Sequence, residues 1–221
     1  MFDLNPTFDF GEGFDTDSTL TDEPLLNNTQ ETMKKILPPV CVVSRPKFHK
    51  CFRIFGLRSG VADLPKIESG GAYHFITGGE QGAMLFLDIV LASCPRLDHL
   101  LISTWTIFEK DAVRLRELVE DGTVARLDIL AGDVQPKTQK RATAILQRLA
   151  TERDNVRFQI SACHAKVFAG HGGDFYFAVQ CSANLTEHPR TEQGSIICMR
   201  NVYDLFTTNF EELFNDGRRE K

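Results

Sequence analysis

The chain has 221 residues, 42% of them hydrophobic and 25% charged, with a formal net charge of −5. That length supplies one sizeable core, and that composition excludes wholesale disorder. No apolar run reaches the roughly 18 residues of a membrane-spanning helix, and the acidic start, MFDLNPTFDFGEGFD, resembles neither a secretory signal nor a transit peptide. A cytoplasmic protein without stable membrane insertion is expected. Six cysteines (Cys41, Cys51, Cys94, Cys163, Cys181, Cys198) contain no Cys-x-x-Cys pair, and most sit in apolar stretches, which predicts reduced core thiols.

Charge is unevenly spread. The first 33 residues hold eight acids and no Lys or Arg, so residues 34–221 sum to +3. Residues 34–60 carry seven basic groups (Lys34, Lys35, Arg45, Lys47, Lys50, Arg53, Arg58) and no acid. The expected organisation is an acidic, poorly ordered arm over 1–33 followed by one domain over 34–221. The basic segment suits a polyanion such as nucleic acid, or is simply a solvated face.

In chain order, Cys51–Phe55 and Tyr73–Thr77 predict strands. A helix through Gly82–Ala92 is apolar almost all round and should be buried. His99–Thr104 reads as a buried strand, Lys110–Glu120 as an amphipathic helix, Ala125–Ala131 as a strand, Thr138–Thr151 as a second amphipathic helix and Val156–Ile160 as a strand of strict alternation. Alternating helices and strands predict a layered α/β/α domain on a mixed, largely parallel sheet. Then come three strands with short links, His164–Ala169, Asp174–Cys181 and Gly194–Met199, and a closing helix over Tyr203–Phe214.

The chemistry-bearing residues fall in this last part. His164 and Lys166 are two apart on a predicted strand and share a face. Burying an unpaired ammonium beside a histidine is costly, so the pair belongs on an accessible surface. There the imidazole can act as nucleophile or acid/base while the lysine holds an anion. The following strand delivers Ser182 and Asn184 at its end, and Asn184 can donate to the same anion. Glu192 can accept from the second nitrogen of His164 and set its tautomer. The spacing of Cys163, His164, His171 and Cys181 matches no zinc pattern, so no metal is expected. Arg190 and Thr104, the latter at the end of the His99–Thr104 strand, are candidate substrate contacts.

His164-Ala-Lys166 with Ser182-Ala-Asn184-Leu-Thr at hairpin distance, and Glu192 after it, resembles the phospholipase D superfamily, whose motif is His-x-Lys-x4-Asp followed by Gly-Ser-x-Asn. The resemblance implies a phospholipase D-like α/β/α fold. It also implies a cofactor-free phosphodiesterase. His164 would form a phosphohistidine, and Lys166 and Asn184 would stabilise phosphoryl oxygens. Ser182 would assist or position the turn, and Glu192 would orient His164. The sequence departs from the motif in having His171 at the Asp position, a candidate substrate contact, and Cys181 at the first Gly position. A single copy of the motif implies a homodimer that shares one site, the second histidine coming from the other chain. The small single-motif members are nucleases, which makes nucleic acid the expected substrate. The alternatives are a lipid-directed phospholipase or phosphatidyltransferase, and a catalytically inactive nucleic-acid-binding protein of the same fold.

Overall fold

The computed structural model describes residues 43–54, 64–78, 82–186 and 190–216. The acidic arm lies outside the described residues, as does part of the basic segment. The elements are β1 (Phe48–Ile54), β2 (Gly71–Thr77), α1 (Met84–Ser93), β3 (His99–Thr104), α2 (Glu109–Glu120), β4 (Leu127–Gly132), a one-turn α3 (Gln135–Thr138), α4 (Lys140–Glu152), β5 (Val156–Ser161), β6 (Val167–Gly172), β7 (Phe175–Cys181), β8 (Glu192–Ile197) and α5 (Arg200–Asp216).

The strands form one mixed sheet in the order β1-β2-β8-β7-β6-β3-β4-β5. The pairs β1/β2, β3/β4 and β4/β5 are parallel; β2/β8, β8/β7, β7/β6 and β6/β3 are antiparallel. Only β6 and β8 therefore run against the rest. The carboxyl ends of the other strands share one edge with the amino ends of β6 and β8.

Alternation along the strands divides the core into two layers. Tyr73, Phe75, Leu100, Ile102, Leu127, Ile129, Phe168, Phe177, Val179 and Ile196 pack with α1, α2 and α4. Helix α1 is buried over most of its surface, as its all-apolar sequence requires. The intervening residues turn the other way: Leu101, Leu130 and Val167 meet Phe210 and Phe214 of α5, and Ala169 and Ala178 meet Val202. The result is an α/β/α sandwich.

Two glycines are required by geometry. Gly173 has φ +54° in the two-residue β6–β7 turn, where a positive φ lets the turn match the strand twist. Gly194 in β8 lies against the buried Phe86 ring, and a Cβ there would overlap it. Gly194→Ala should destabilise the fold by about 1–3 kcal/mol through overpacking, measured as a lowered urea midpoint; an unchanged midpoint would show that Phe86 moves freely aside.

Two strands are offset from their expected bounds. β6 begins at Val167, not His164, so His164 and Lys166 lie on its lead-in, before pairing starts. β8 begins at Glu192, not Gly194, because Glu192 pairs with Thr77 at the end of β2. The short α3 was not expected from the sequence. No helix among the described residues is long and apolar enough to cross a membrane.

Candidate active site

Four segments bring their functional side chains to the shared edge: the exits of β3 and β7, the lead-in to β6 and the start of β8. Ligands of α/β sheets are commonly bound at the carboxyl ends of strands.

His164 is exposed and Lys166 partly buried. Lys166 Nζ lies 3.3 Å from His164 Nδ1 and 3.3 Å from the His164 carbonyl oxygen. The backbone N–H of Cys181 donates to the Lys166 carbonyl at 3.2 Å, tying the lead-in to the end of β7.

From that end the chain turns through Ser182 to Asn184. Ser182 and Gln193 are joined twice: Ser182 N–H donates to the Gln193 carbonyl and Gln193 N–H donates to Ser182 Oγ, both at 3.0 Å. The Ser182 hydroxyl in turn donates to Glu192 Oε2. The Glu192 carboxylate is thus engaged by Ser182. Among the described residues, the ring contacts of His164 are Lys166 and Trp105, so the orienting bond expected from Glu192 is not made.

Asn184 is fixed from both sides. Its carbonyl accepts from Ala83 N–H at 3.0 Å, and its Oδ1 lies 3.4 Å from the hydroxyl of the buried Thr104. That contact engages the amide oxygen and leaves the NH2 end as the donor for an anion. Next to it, Leu185 pairs with Ile107 and its carbonyl accepts from Phe108 N–H at 2.8 Å, so the β7 and β3 exits are bound together. Arg190 is exposed between Asn184 and Glu192.

His171 does not reach this edge. It sits five residues beyond Lys166 along β6, roughly 16 Å at strand rise, paired in register with His99 and Tyr176. Its ring stacks on Tyr176 with centroids 5.1 Å apart, and its Nδ1 lies 3.7 Å from Asp98. The substrate contact expected of His171 is thereby corrected: the strand carries its side chain to the opposite end of the sheet.

That opposite end holds a charged cluster under α5. Asp128, fully buried, accepts from Arg157 Nε and Nη2 at 2.7 Å each and from His99 Nε2 at 2.8 Å, while Arg126 lies 3.0 Å away. Arg157 also donates to both oxygens of Glu211 on α5. Burial opposes the Asp128 charge, but hydrogen bonds from Arg157 and His99 hold its carboxyl well below the usual carboxylate range.

Cys181, at the Gly position of the motif, has its thiol pushed up to about 12 by burial. It is protonated at neutral pH and offers no second nucleophile. Iodoacetamide at pH 8 should label the exposed Cys51 well before Cys181; equal labelling, resolved by peptide mass spectrometry, would contradict the burial. A concavity of about 450 Å³ lined by His74, Gln180, Cys181, Gln193, Gly194, Ser195 and Ile197 adjoins Ser182 and Glu192 in the chain.

In sequence Trp105 stands with Ser103, Thr104 and Thr106 at a strand end that either rims the pocket or, by default, is ordinary loop. It follows the buried Thr104 and is 39% exposed. Its ring lies against His164, with centroids 4.7 Å apart and planes at 55°.

No family model matches the sequence, and no curated protein does. Solved structures similar to the chain include polyphosphate kinase from Porphyromonas gingivalis, at 13% identity over 52% of this chain and 21% of that one, TM-score 0.39. Phosphatidylserine synthase from Haemophilus influenzae Rd KW20 is 15% identical over 64% of this chain and 37% of its own, TM-score 0.42. The archaeal chromatin protein TrmBL2, described with a novel mode of DNA binding, is 13% identical over 65% and 52%, TM-score 0.43. The chain thus covers from about a fifth to about half of the length of these proteins.

Proposed function

We propose that the protein is a phosphodiesterase of the phospholipase D type, a nuclease that acts without a metal as a homodimer. The observation that carries this reading is that His164 and Lys166, in contact with each other, share one sheet edge with Ser182, Asn184 and Glu192. An imidazole beside a fixed cation and an amide donor matches the needs of phosphoryl transfer, in which a nucleophile attacks while fixed charge steadies the equatorial oxygens.

In the first step Lys166 moves its hydrogen bond from His164 Nδ1 to a phosphoryl oxygen, and Asn184 donates to the same group. Because Lys166 donates to Nδ1, the resting imidazole carries its proton on Nε2; release of Lys166 lets that proton pass through solvent to Nδ1, and the freed Nε2 attacks phosphorus. The N–P bond forms as the P–O bond to the leaving group breaks, and an imidazolium protonates the departing oxygen. That imidazolium has no source among the other described histidines. His49 pairs with His74, His99 with Asp128 and Tyr203, and His171 with Tyr176. In a two-fold dimer it is the partner's His164, which as a neutral base then takes a proton from water while the water oxygen attacks the phosphohistidine phosphorus, and the N–P bond breaks to free His164. Ser182 and Glu192 hold the turn that carries Asn184, and Arg190 contacts substrate phosphate.

The test is cleavage of single- and double-stranded DNA in excess EDTA, across protein concentrations that span dimer dissociation. Metal-independent cleavage whose rate per chain falls on dilution is expected. Absence of cleavage, with headgroup release from phospholipid vesicles, would move the substrate to lipid. Binding without any turnover would leave an inactive nucleic-acid-binding protein.

A further inference from the structure

Trp105 is the only tryptophan of the chain. A large apolar ring at 39% exposure is unremarkable on its own. Its setting is less ordinary. The strand ahead of it ends in the buried Thr104, whose hydroxyl lies 3.2 Å from the Thr106 carbonyl and 3.4 Å from Asn184 Oδ1. Two residues after it, Ile107 is gripped by the buried Gln135, whose Oε1 accepts from Ile107 N–H at 2.8 Å and whose Nε2 donates to the Ile107 carbonyl at 3.1 Å. The Trp105 carbonyl itself accepts from Gly132 N–H at 3.2 Å, and a Cβ at Gly132 would overlap the indole. The end of β4 is thus kept bare where the ring lies, and the segment is pinned on each side.

We propose that Trp105 is a nucleobase subsite: the base next to the scissile phosphate of a single-stranded nucleic acid stacks on its indole. This rests on the phosphodiesterase reading of His164. The Trp105 and His164 ring centroids are 4.7 Å apart, so the two rings lie side by side at the site. A base on the indole and its neighbouring phosphate on the imidazole are therefore within one nucleotide's reach. Every base has a π-face, so such stacking favours no sequence. A duplex hides those faces in its own stack, so the subsite selects a single strand or an unpaired end. A lipid phosphodiester has no ring to place there. The pinned segment reduces what must be ordered on binding.

The single tryptophan makes the test direct, since its fluorescence reports this position alone. The full chain carrying His164→Ala, or His164→Gln if the first does not fold, is titrated with oligothymidylate, oligouridylate, an abasic phosphodiester oligomer of equal length and phosphatidylglycerol vesicles. Saturable quenching by the base-bearing oligomers and not by the abasic one is expected. By anisotropy with labelled oligomers, Trp105→Ala should weaken binding about ten- to a hundredfold while Trp105→Phe stays within about threefold. The abasic oligomer should bind both variants alike. Equal affinity for abasic and base-bearing oligomers, an unaffected Trp105→Ala, or quenching by vesicles alone would overturn the subsite. So would an equal loss of kcat on base-bearing and abasic substrates, because that marks a ring that merely positions His164. The failures are separable: base-dependent quenching without cleavage removes the chemistry and keeps the subsite, whereas cleavage without base dependence does the reverse.

Discussion

Replacing His164 with alanine should lower phosphodiester turnover at least about a thousandfold while leaving the unfolding transition nearly unchanged, because the side chain is exposed. The size of the loss follows from the role. Without the imidazole there is no covalent intermediate, and the reaction reverts to direct attack by water that no group activates. Lys166 and Asn184 remain to bind the phosphate, so affinity for substrate should fall far less than the rate. The measurement is initial rate in EDTA for both proteins, with alkaline quenching and mass spectrometry of the peptide that contains His164. The wild type should carry a phosphoryl adduct on that peptide and the variant none. A variant that cleaves at the wild-type rate would remove His164 from the chemistry.

The second large effect lies at the other end of the sheet and concerns stability. Asp128→Ala should cost about 3–5 kcal/mol, since it strips a buried carboxylate from two arginines and a histidine and leaves Arg157 under α5 with Glu211 as its one carboxylate partner. Arg157 also covers the Phe214 ring, at 4.3 Å from its centroid, so loosening Arg157 loosens the seat of α5 as well. Urea unfolding at pH 7 measures the loss, and a change below about 1 kcal/mol would show that the cluster is replaceable. Asp128 titrates below its ordinary value of 3.8 in the folded state. In that window the unfolded chain binds the extra proton, so stability rises with pH. The contribution is complete above the ordinary value and is lost as the pH falls below it. The Asp128→Ala protein should therefore lose less stability than the wild type on going from pH 5 to pH 3.

Much of the architecture is legible in the residues because burial imposes a period. Val156-Arg-Phe-Gln-Ile alternates, and β5 runs Val156–Ser161. His99–Thr104 is expected as a strand and has those bounds. The errors fall where the period carries no information. His164 and Lys166 lie in an extended lead-in whose sequence looks like strand, but Val167 is the first residue with a ladder partner. The one-turn α3 has no room to display a helical period, yet it places Gln135 against Ile107. Within the site, the meeting of His164 with Lys166 follows from a two-residue spacing. The Ser182–Glu192 bond and the Trp105–His164 contact do not, because each joins separate segments through pairings that only the folded sheet defines. His171 shows the converse: a motif position fixed by counting is carried away from the site by strand direction.

The position of β8 has a consequence for how the molecule is made. Strand β8 lies between β2 and β7, and Ala72 meets Ile197 across more than half of the chain. During synthesis β1 and β2 can pair with each other, but β2 keeps an open inner edge until β8 has emerged. Every later strand that joins the sheet does so on the far side of that gap. Closure must therefore await nearly the whole domain, a topology of high contact order that predicts slow folding and an unpaired edge at risk of wrong pairing. The same late strand carries Glu192 to Ser182, so sheet closure and completion of the site are a single event.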